Sequence, residues 1–213
     1  MKQQYEIETH PIPNGYIPDN AKTIVIGTFP PKNEYKNKPD FFFYSSARNH
    51  FWNRMDSIFP GYKLKKTATK LLDVSTEENK LDKQKFCRNK NIGFIDIFTK
   101  INRKVNNSTK DMDLEPQENI VTNGRLYNIL DKNQNIVRIC CTYKLAFESL
   151  LFSLDKVKLE FKTNQHTANG EECTFNYKSR KISIVLLYPA TRSKQKGEIK
   201  DAQYRLLIFG ETI

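Results

Sequence analysis

The sequence predicts an α/β fold, in which helices cover both faces of a parallel β-sheet. Short apolar runs alternate along the chain with segments whose apolar residues recur at helical spacing. This alternation is typical of parallel sheets, because a parallel connection must cross over the sheet and usually does so as a helix. The chain has 213 residues, 38% of them hydrophobic, which is enough for one domain with its own core. We therefore expect residues 1–213 to form a single domain.

Four apolar runs are the strand candidates, because each is rich in β-branched or aromatic residues. They cover residues 23–28, 92–98, 136–142 and 182–188. A further pair of strands is expected near 157–163 and 173–178, joined by a turn at Asn169-Gly170.

Three segments between these strands place their apolar residues on one helical face. We expect helices at 48–59, 119–131 and 143–154. Two polar stretches interrupt the pattern: an N-terminal arm, residues 1–20, and a long connection, residues 103–117. Long connections without helix or strand are uncommon in compact domains and are often functional or mobile.

The charge balance favours a polyanionic partner. Lysine and arginine number 35 against 24 acidic residues, which gives a net charge of +11. Nucleic acid is the leading partner on these grounds, although a basic composition can also serve solubility alone. No apolar run approaches the roughly 20 residues needed to span a bilayer, and the N-terminus lacks a signal-peptide pattern. We expect a cytoplasmic monomer that does not bind membranes.

The four cysteines, Cys87, Cys140, Cys141 and Cys173, form no Cys-x-x-Cys pair and have no histidines at ligand spacing. Neither a zinc site nor an iron–sulfur cluster is indicated, and we expect reduced, mostly buried thiols and no metal. Cys140 and Cys141 are neighbours in a strand, so their side chains should point to opposite faces.

The most informative stretch is Phe41-Phe42-Phe43-Tyr44-Ser45-Ser46-Ala47-Arg48-Asn49-His50-Phe51-Trp52. Four aromatic residues precede an Arg-Asn pair and two follow it, a composition suited to a pocket that stacks a flat ring. The stretch comes soon after the first strand, and open α/β sheets bind ligands at the carboxyl ends of their strands. Segments 27–31, 96–100 and 188–194 follow three of the strands and should converge there.

These motifs resemble the uracil-DNA glycosylase superfamily, most closely its hypoxanthine or deoxyinosine DNA glycosylase branch. The similar stretches occur in the family's order and are Gly27-Thr28-Phe29-Pro30, Tyr44 to Trp52, Ile92 to Ile97 and Tyr188 to Thr191. The resemblance implies a three-layer α/β/α sandwich with a central four-stranded parallel sheet. It also implies a monofunctional glycosylase, without metal or cofactor, that flips hypoxanthine or uracil out of single- or double-stranded DNA and hydrolyses its N-glycosidic bond.

The resemblance also assigns roles to residues of the site. Asn49 matches the catalytic asparagine of the hypoxanthine branch; its carboxamide can orient a water but cannot act as a true base. Tyr44 matches the residue that stacks on the flipped base, and Gly27, Thr28 and Phe29 match the other base-binding positions. Asn49 could instead cap the helix that follows it. Glycine at position 27 is expected to let a ligand approach the backbone closely.

Asp96 is the second catalytic candidate, because a carboxylate inside an apolar strand is costly unless it has a partner or a function. A structural hydrogen bond is an equally good interpretation. In the uracil branches a polar residue that activates water stands where this chain has Phe29, and this difference shifts the catalytic assignment to Asn49. His10, in the polar arm, has no assigned role.

The DNA-binding candidates are Arg48 and five residues after the last strand: Pro189, Thr191, Arg192, Ser193 and Lys194. The second group resembles the family's loop that enters the minor groove, and it matches the family at Pro189 and Thr191 only. That departure, together with Phe29, favours the main alternative, a catalytically inactive nucleic-acid-binding protein of the same fold. A hydrolase of free nucleotides is a third interpretation.

Overall fold

The computed structural model describes residues 7–36, 38, 41–45, 49–62, 64, 77–105, 108, 110–154, 156–190 and 195–211. The strands are β1 Ile7–Thr9, β2 Thr23–Gly27, β3 Ile92–Asp96, β4 Phe98–Arg103, β5 Leu114–Asn119, β6 Arg138–Cys141, β7 Leu159–Thr163, β8 Glu171–Tyr177 and β9 Arg180–Leu186. The helices are α1 Lys32–Tyr35, α2 Phe51–Ile58, α3 Glu77–Lys90, α4 Arg125–Lys132, α5 Lys144–Ser153 and α6 Gly197–Phe209.

The main sheet has the strand order β3-β2-β6-β9-β8-β7. The four apolar runs of the sequence supply β3, β2, β6 and β9, and neighbours among these four are parallel. Strands β8 and β7 continue the sheet in antiparallel orientation, as the turn at Asn169-Gly170 predicted. The sheet therefore has six strands rather than the four expected, because this hairpin pairs with β9 and extends the sheet beyond it.

Helices cover both faces of the main sheet. Ile24 and Ile26 of β2 face a core that includes residues of α4 and α5, whereas Val25 faces the opposite core with residues of α2, α3 and α6. Cys141 lies in the same core as Ile24 and Ile26, and Cys140 lies in the same core as Val25. All four cysteines are buried free thiols, as the sequence predicted. A strand buried on both faces explains why these runs are apolar throughout rather than alternating.

A second, smaller sheet has the antiparallel order β1-β4-β5. The apolar run 92–98 was expected to be one strand, but it divides after Asp96, and Phe98 begins β4 in the small sheet. The N-terminal arm and the long connection were expected to lack strands, yet each supplies one strand to this sheet, β1 and β5. Their polar composition hides these strands from the sequence pattern; in β5 three of the six residues are exposed to solvent and one is buried.

The three helices that the sequence predicted differ from expectation mainly at their starts. α5 agrees with the expected segment 143–154, but α4 begins only at Arg125, after Gly124 at φ 77°. α1, α3 and α6 were not predicted; α3 carries charged residues on most of its turns, which hides its apolar positions. No helix in the described part of the chain is both long enough and apolar enough to cross a membrane.

Candidate functional site

A cavity of about 350 Å³ opens at the carboxyl ends of β2, β3 and β6. Its described lining comes from the end of β2 and the turn after it, from α1, from the aromatic stretch, from the end of β3, from the connection before β5 and from the residue that follows Thr142 after β6. The lining residues are Gly27, Thr28, Phe29, Pro30, Pro31, Glu34, Phe41, Phe43, Tyr44, Ser45, Asn49, Asp96, Asp111 and Tyr143.

The structure brings together every residue that the sequence assigned to catalysis or base binding. Gly27, Thr28, Phe29, Tyr44, Asn49 and Asp96 all line this cavity. Pro189 is half-buried just after β9 and is not among the described lining residues. The other DNA-binding candidates, Arg48 and residues 191–194, lie outside the described residues.

Asp96 is held by a histidine from the N-terminal arm. His10 is buried at 3% exposure, and its Nε2 lies 3.0 Å from Asp96 Oδ2. His10 Nδ1 accepts a hydrogen bond from the Ile12 backbone N–H, so the ring proton is on Nε2 and is donated to the carboxylate. The ring also stacks on Phe43. Asp96 therefore has the structural hydrogen bond that the sequence allowed and lines the cavity as well.

Gly27 makes room for two side chains of the protein itself. A Cβ at this position would lie 2.3 Å from Asp96 Oδ1 and 2.9 Å from the Tyr44 hydroxyl. We expected the glycine to admit a ligand to the backbone. The space beside Gly27 holds the Asp96 carboxylate, so packing within the protein already requires a glycine here, and the approach of a ligand to its backbone stays a prediction.

Tyr44 occupies a left-handed backbone conformation at φ 56°, which is uncommon for a residue other than glycine. Its ring stacks on Phe51 at a centroid distance of 4.8 Å, and its hydroxyl shares a 3.0 Å hydrogen bond with Thr142 Oγ1. Burial raises the pKa of this phenol well above its ordinary value, so the hydroxyl stays protonated. The three preceding phenylalanines are buried, and Phe41 and Phe43 line the cavity in addition.

Asn49 lines the cavity and also bonds to the start of α2, although the N-cap residue of that helix is His50. Its Oδ1 accepts a 2.9 Å hydrogen bond from the Phe51 backbone N–H at the start of α2, and its Nδ2 donates to the Tyr143 hydroxyl at 3.3 Å. The carboxamide thus stabilises the first turn of the helix and faces the cavity. These two bonds fix its orientation, which suits a group that must position a water or a base.

Sequence reasoning missed Asp111. Its Oδ1 accepts a 2.8 Å hydrogen bond from Thr28 Oγ1, and its side chain lines the cavity. Burial raises the pKa of Asp111, and the nearby Asp96 charge raises it further, while the Thr28 bond acts in the opposite direction. The signal was the long polar connection to which Asp111 belongs, but nothing local distinguishes it from the other polar residues there.

Sequence reasoning also missed Tyr143, although a signal was present. Tyr143 follows β6 directly after Thr142, so it lies at the carboxyl end of a parallel strand as Thr28 does. Burial, with the Asp111 and Asp96 charges, raises the pKa of Tyr143 to about 12. The hydroxyl therefore remains a hydrogen-bond donor at neutral pH.

The cavity combines aromatic walls with three carboxyl groups, from Glu34, Asp96 and Asp111. Carboxylates in a partly desolvated cleft favour a group that is or becomes positively charged. In the described part of the chain, no three His, Cys, Asp or Glu side chains gather in a way that could hold a metal ion. The arrangement can therefore stack a planar ring and stabilise positive charge beside it.

Comparison with known proteins identifies the fold. The structure is similar to a solution NMR structure of a candidate uracil DNA glycosylase from Methanosarcina acetivorans, with a TM-score of 0.54 and 15% sequence identity. The similarity covers 95% of this chain and 99% of that one. The chain matches no protein-family model and no curated protein sequence. At this identity the comparison shows a uracil-DNA-glycosylase-like fold.

Proposed function

We propose that this chain, which has a uracil-DNA-glycosylase-like fold, is a monofunctional DNA glycosylase that removes a deaminated base, hypoxanthine or uracil. One observation carries the proposal: Tyr44, Asn49, Asp96 and Asp111 line a single cavity at the carboxyl ends of the parallel strands. At about 350 Å³ the cavity is at the small end of the range for ligand pockets, about 300–1,000 Å³.

In the proposed reaction the base leaves its stack in DNA and enters the cavity. Extrusion costs a few kcal/mol and is least costly for damaged or mispaired bases. The base stacks against the Tyr44 ring in the cavity wall, and the Asn49 carboxamide positions a water or the base. As the glycosidic bond breaks ahead of water attack, positive charge develops on the sugar, and the carboxylates of Asp96 and Asp111 stabilise it.

The net charge of +11 supplies attraction for the DNA backbone. The proposed DNA contacts are Arg48, Pro189 and residues 191–194, on the resemblance of their motifs. Binding should weaken as salt is raised, because each phosphate contact releases condensed counterions. The positive charge of the whole chain also offsets the repulsion between the acidic cavity and the phosphates.

The test is a release assay on oligonucleotides that carry one hypoxanthine or one uracil, as single strands and as duplexes. We expect an abasic site, detected by strand cleavage in alkali, from at least one of the four substrates. Undamaged oligonucleotides of the same sequence are the control. If none of the four substrates yields an abasic site above that control, the proposal is wrong.

Replacement of Asn49 by Ala is expected to lower the single-turnover release rate about 10²-fold, because the positioned carboxamide is lost. DNA affinity and its salt dependence should stay unchanged, since the phosphate contacts remain. Asn53→Ala is a matched control, because Asn53 is an exposed asparagine on α2. Release by Asn49→Ala at the unaltered rate would remove Asn49 from the reaction and leave Asp96 and Asp111 as the candidates.

A second candidate function is favoured by Phe29, which is buried at 7% exposure with its ring edge-to-face with His10. This apolar residue stands where the uracil branches of the resembling family carry a water-activating group. An apolar residue at this position is what we expect in a protein that binds nucleic acid but no longer catalyses the reaction. Salt-dependent DNA binding without release of any deaminated base would decide for it.

A further inference from the structure

A buried lysine lies directly behind the wall of the cavity. Lys83 of α3 is 2% exposed, and its Nζ donates a 3.1 Å hydrogen bond to Ser45 Oγ. Ser45 is itself 4% exposed and lines the cavity. Lysine is almost never fully buried unless it is paired with a charge, so this position calls for a physical reason.

The surroundings of Lys83 supply no negative partner in the described part of the chain. The ring of Trp52 lies 5.2 Å from Nζ, and the hydroxyl of Ser45 is neutral. Cys87, one turn further along α3, is the one ionisable group there whose charge acts on Lys83, and burial raises the pKa of its thiol well above the ordinary value. Burial lowers the pKa of Lys83 to about 7. Close to neutral pH a large share of the molecules therefore carries an uncharged amine, whose lone pair can accept a proton.

The backbone before Ser45 is strained. Tyr44 adopts φ 56°, a left-handed region that is unfavourable for a residue with a side chain. Strain of this kind persists where the surrounding structure over-determines it, and it is concentrated at functional sites. Tyr44 connects the buried Phe43 to Ser45, which lines the cavity and accepts the hydrogen bond from Lys83.

We propose that Ser45 and Lys83 form a proton-accepting dyad in the wall of the cavity, which takes the proton of the water that attacks the sugar. The inference rests on the proposed glycosylase function and adds the group that Asn49 cannot supply. Serine paired with lysine is a known form of activated hydroxyl. In this arrangement Ser45 touches the water, and Lys83 acts through Ser45.

The proposed step moves one proton from the attacking water to Lys83 by way of Ser45. The base departs with the electron pair of the glycosidic bond, and a water oxygen then donates a lone pair to the sugar carbon. When the amine is neutral, the Ser45 hydroxyl donates to its lone pair and the bond between the two runs from Oγ to Nζ. The water then loses a proton to Ser45 Oγ while the hydroxyl proton of Ser45 passes to Lys83 Nζ, which becomes an ammonium. Release of one proton to the departed base or to solvent restores the neutral amine.

A first experiment measures the amine itself. Protein labelled with ¹³C at the lysine ε-carbon is titrated from pH 5 to 11 by ¹H–¹³C NMR, and we expect one lysine resonance with a midpoint near 7. That resonance should be missing in Lys83→Met, present in the control Lys85→Met, an exposed lysine of the same helix, and displaced in Ser45→Ala. If the Lys83 resonance titrates with the other lysines near their ordinary value of about 10.4, the dyad is wrong, whether or not the protein releases a base.

A second experiment measures release rate against pH. The unaltered protein should gain rate as pH rises through about 7. At pH 8, Ser45→Ala and Lys83→Met should be about 10²-fold slower and should lack this rise, with DNA affinity retained. A lysine with only a structural role would leave the pH profile of Lys83→Met unchanged, and that result overturns the dyad. A different result separates the two proposals. If the unaltered protein releases no base but Lys83 titrates near 7, the glycosylase function is wrong, whereas the hydrogen-bonded pair of Ser45 and a neutral Lys83 is confirmed.

Discussion

An Asp111→Asn variant is expected to release base about 10²–10³-fold more slowly than the unaltered protein, which is the size of effect produced by removing one preorganised electrostatic group from an active site. Asp111 faces the cavity from the connection before β5 and is held by the Thr28 hydroxyl. Asparagine keeps an oxygen for that hydrogen bond, so the fold should be preserved. The variant removes the negative charge alone, and with it the stabilisation of the positively charged sugar.

The pH dependence of release gives an independent check on Asp111. Burial, reinforced by the charge of Asp96, raises the pKa of this carboxyl. Because the ionised form is the active one, release should fall as pH is lowered through that raised pKa, at a higher pH than for an ordinary carboxyl. The Asp111→Asn variant has no carboxyl to protonate at this position, so its release rate should lack this fall at low pH.

The matched control is Asp113→Asn, in the same 3₁₀ turn Asp111–Asp113. Asp113 accepts a hydrogen bond from Ser108 and is not among the described lining residues of the cavity. Release by Asp113→Asn should stay within a few-fold of the unaltered rate. Equal rates for the two variants would contradict a specific role for Asp111.

A Glu8→Ala variant is expected to lower the free energy of unfolding by about 3–5 kcal/mol, because it leaves a buried guanidinium without its partner. Arg103 donates from Nε and Nη2 to the two carboxylate oxygens of Glu8 at 3.0 and 3.1 Å, and both residues are at most 7% exposed. The Tyr35 hydroxyl donates to the same carboxylate at 2.7 Å. Arg103 also donates to the Pro30 carbonyl, so the network supports a turn that lines the cavity.

The contribution of Glu8 should depend on pH. Burial alone would raise the pKa of Glu8, but the hydrogen bonds from Arg103 and Tyr35 outweigh it and hold the pKa below its ordinary value of 4.5. A lowered carboxyl pKa means that the stabilisation is fully present above the unfolded value and is lost as pH falls through the folded value. The difference between the unaltered protein and Glu8→Ala should therefore narrow on acidification below about pH 4.5.

Chemical denaturation at pH 7 measures this difference, with two further variants as controls. Glu148→Ala removes an exposed ion pair with Lys144 and should cost less than about 1 kcal/mol. The double variant Glu8→Ala with Arg103→Met removes both buried charges and should recover a large part of the loss. A cost for Glu8→Ala no greater than that of Glu148→Ala would show that the network does not stabilise the fold.

The local sequence pattern was sufficient to predict the parallel strands of the main sheet and many of the residues that line the cavity. A strand buried on both faces must be apolar along its length, so β2, β3, β6 and β9 can be recognised without knowledge of their neighbours. Residues that follow such strands reach the same edge of the sheet, which is why Thr28 and Asp96 could be placed together in advance. Tyr44 and Asn49 were assigned by motif, and both line the cavity.

Only the tertiary structure determines which other polar residues lie at the cavity. His10 meets Asp96 across 86 positions of sequence, Asp111 meets Thr28 across 83, and Lys83 meets Ser45 across 38. Apolar periodicity reports which face of a segment is buried, whereas the burial of a polar side chain depends on a distant partner that offsets its desolvation. A histidine in a polar arm and a lysine on a charged helix therefore have no local signature. His10 and Lys83 reach the cavity only because the folded chain packs β1 and α3 near the strands whose ends form that cavity.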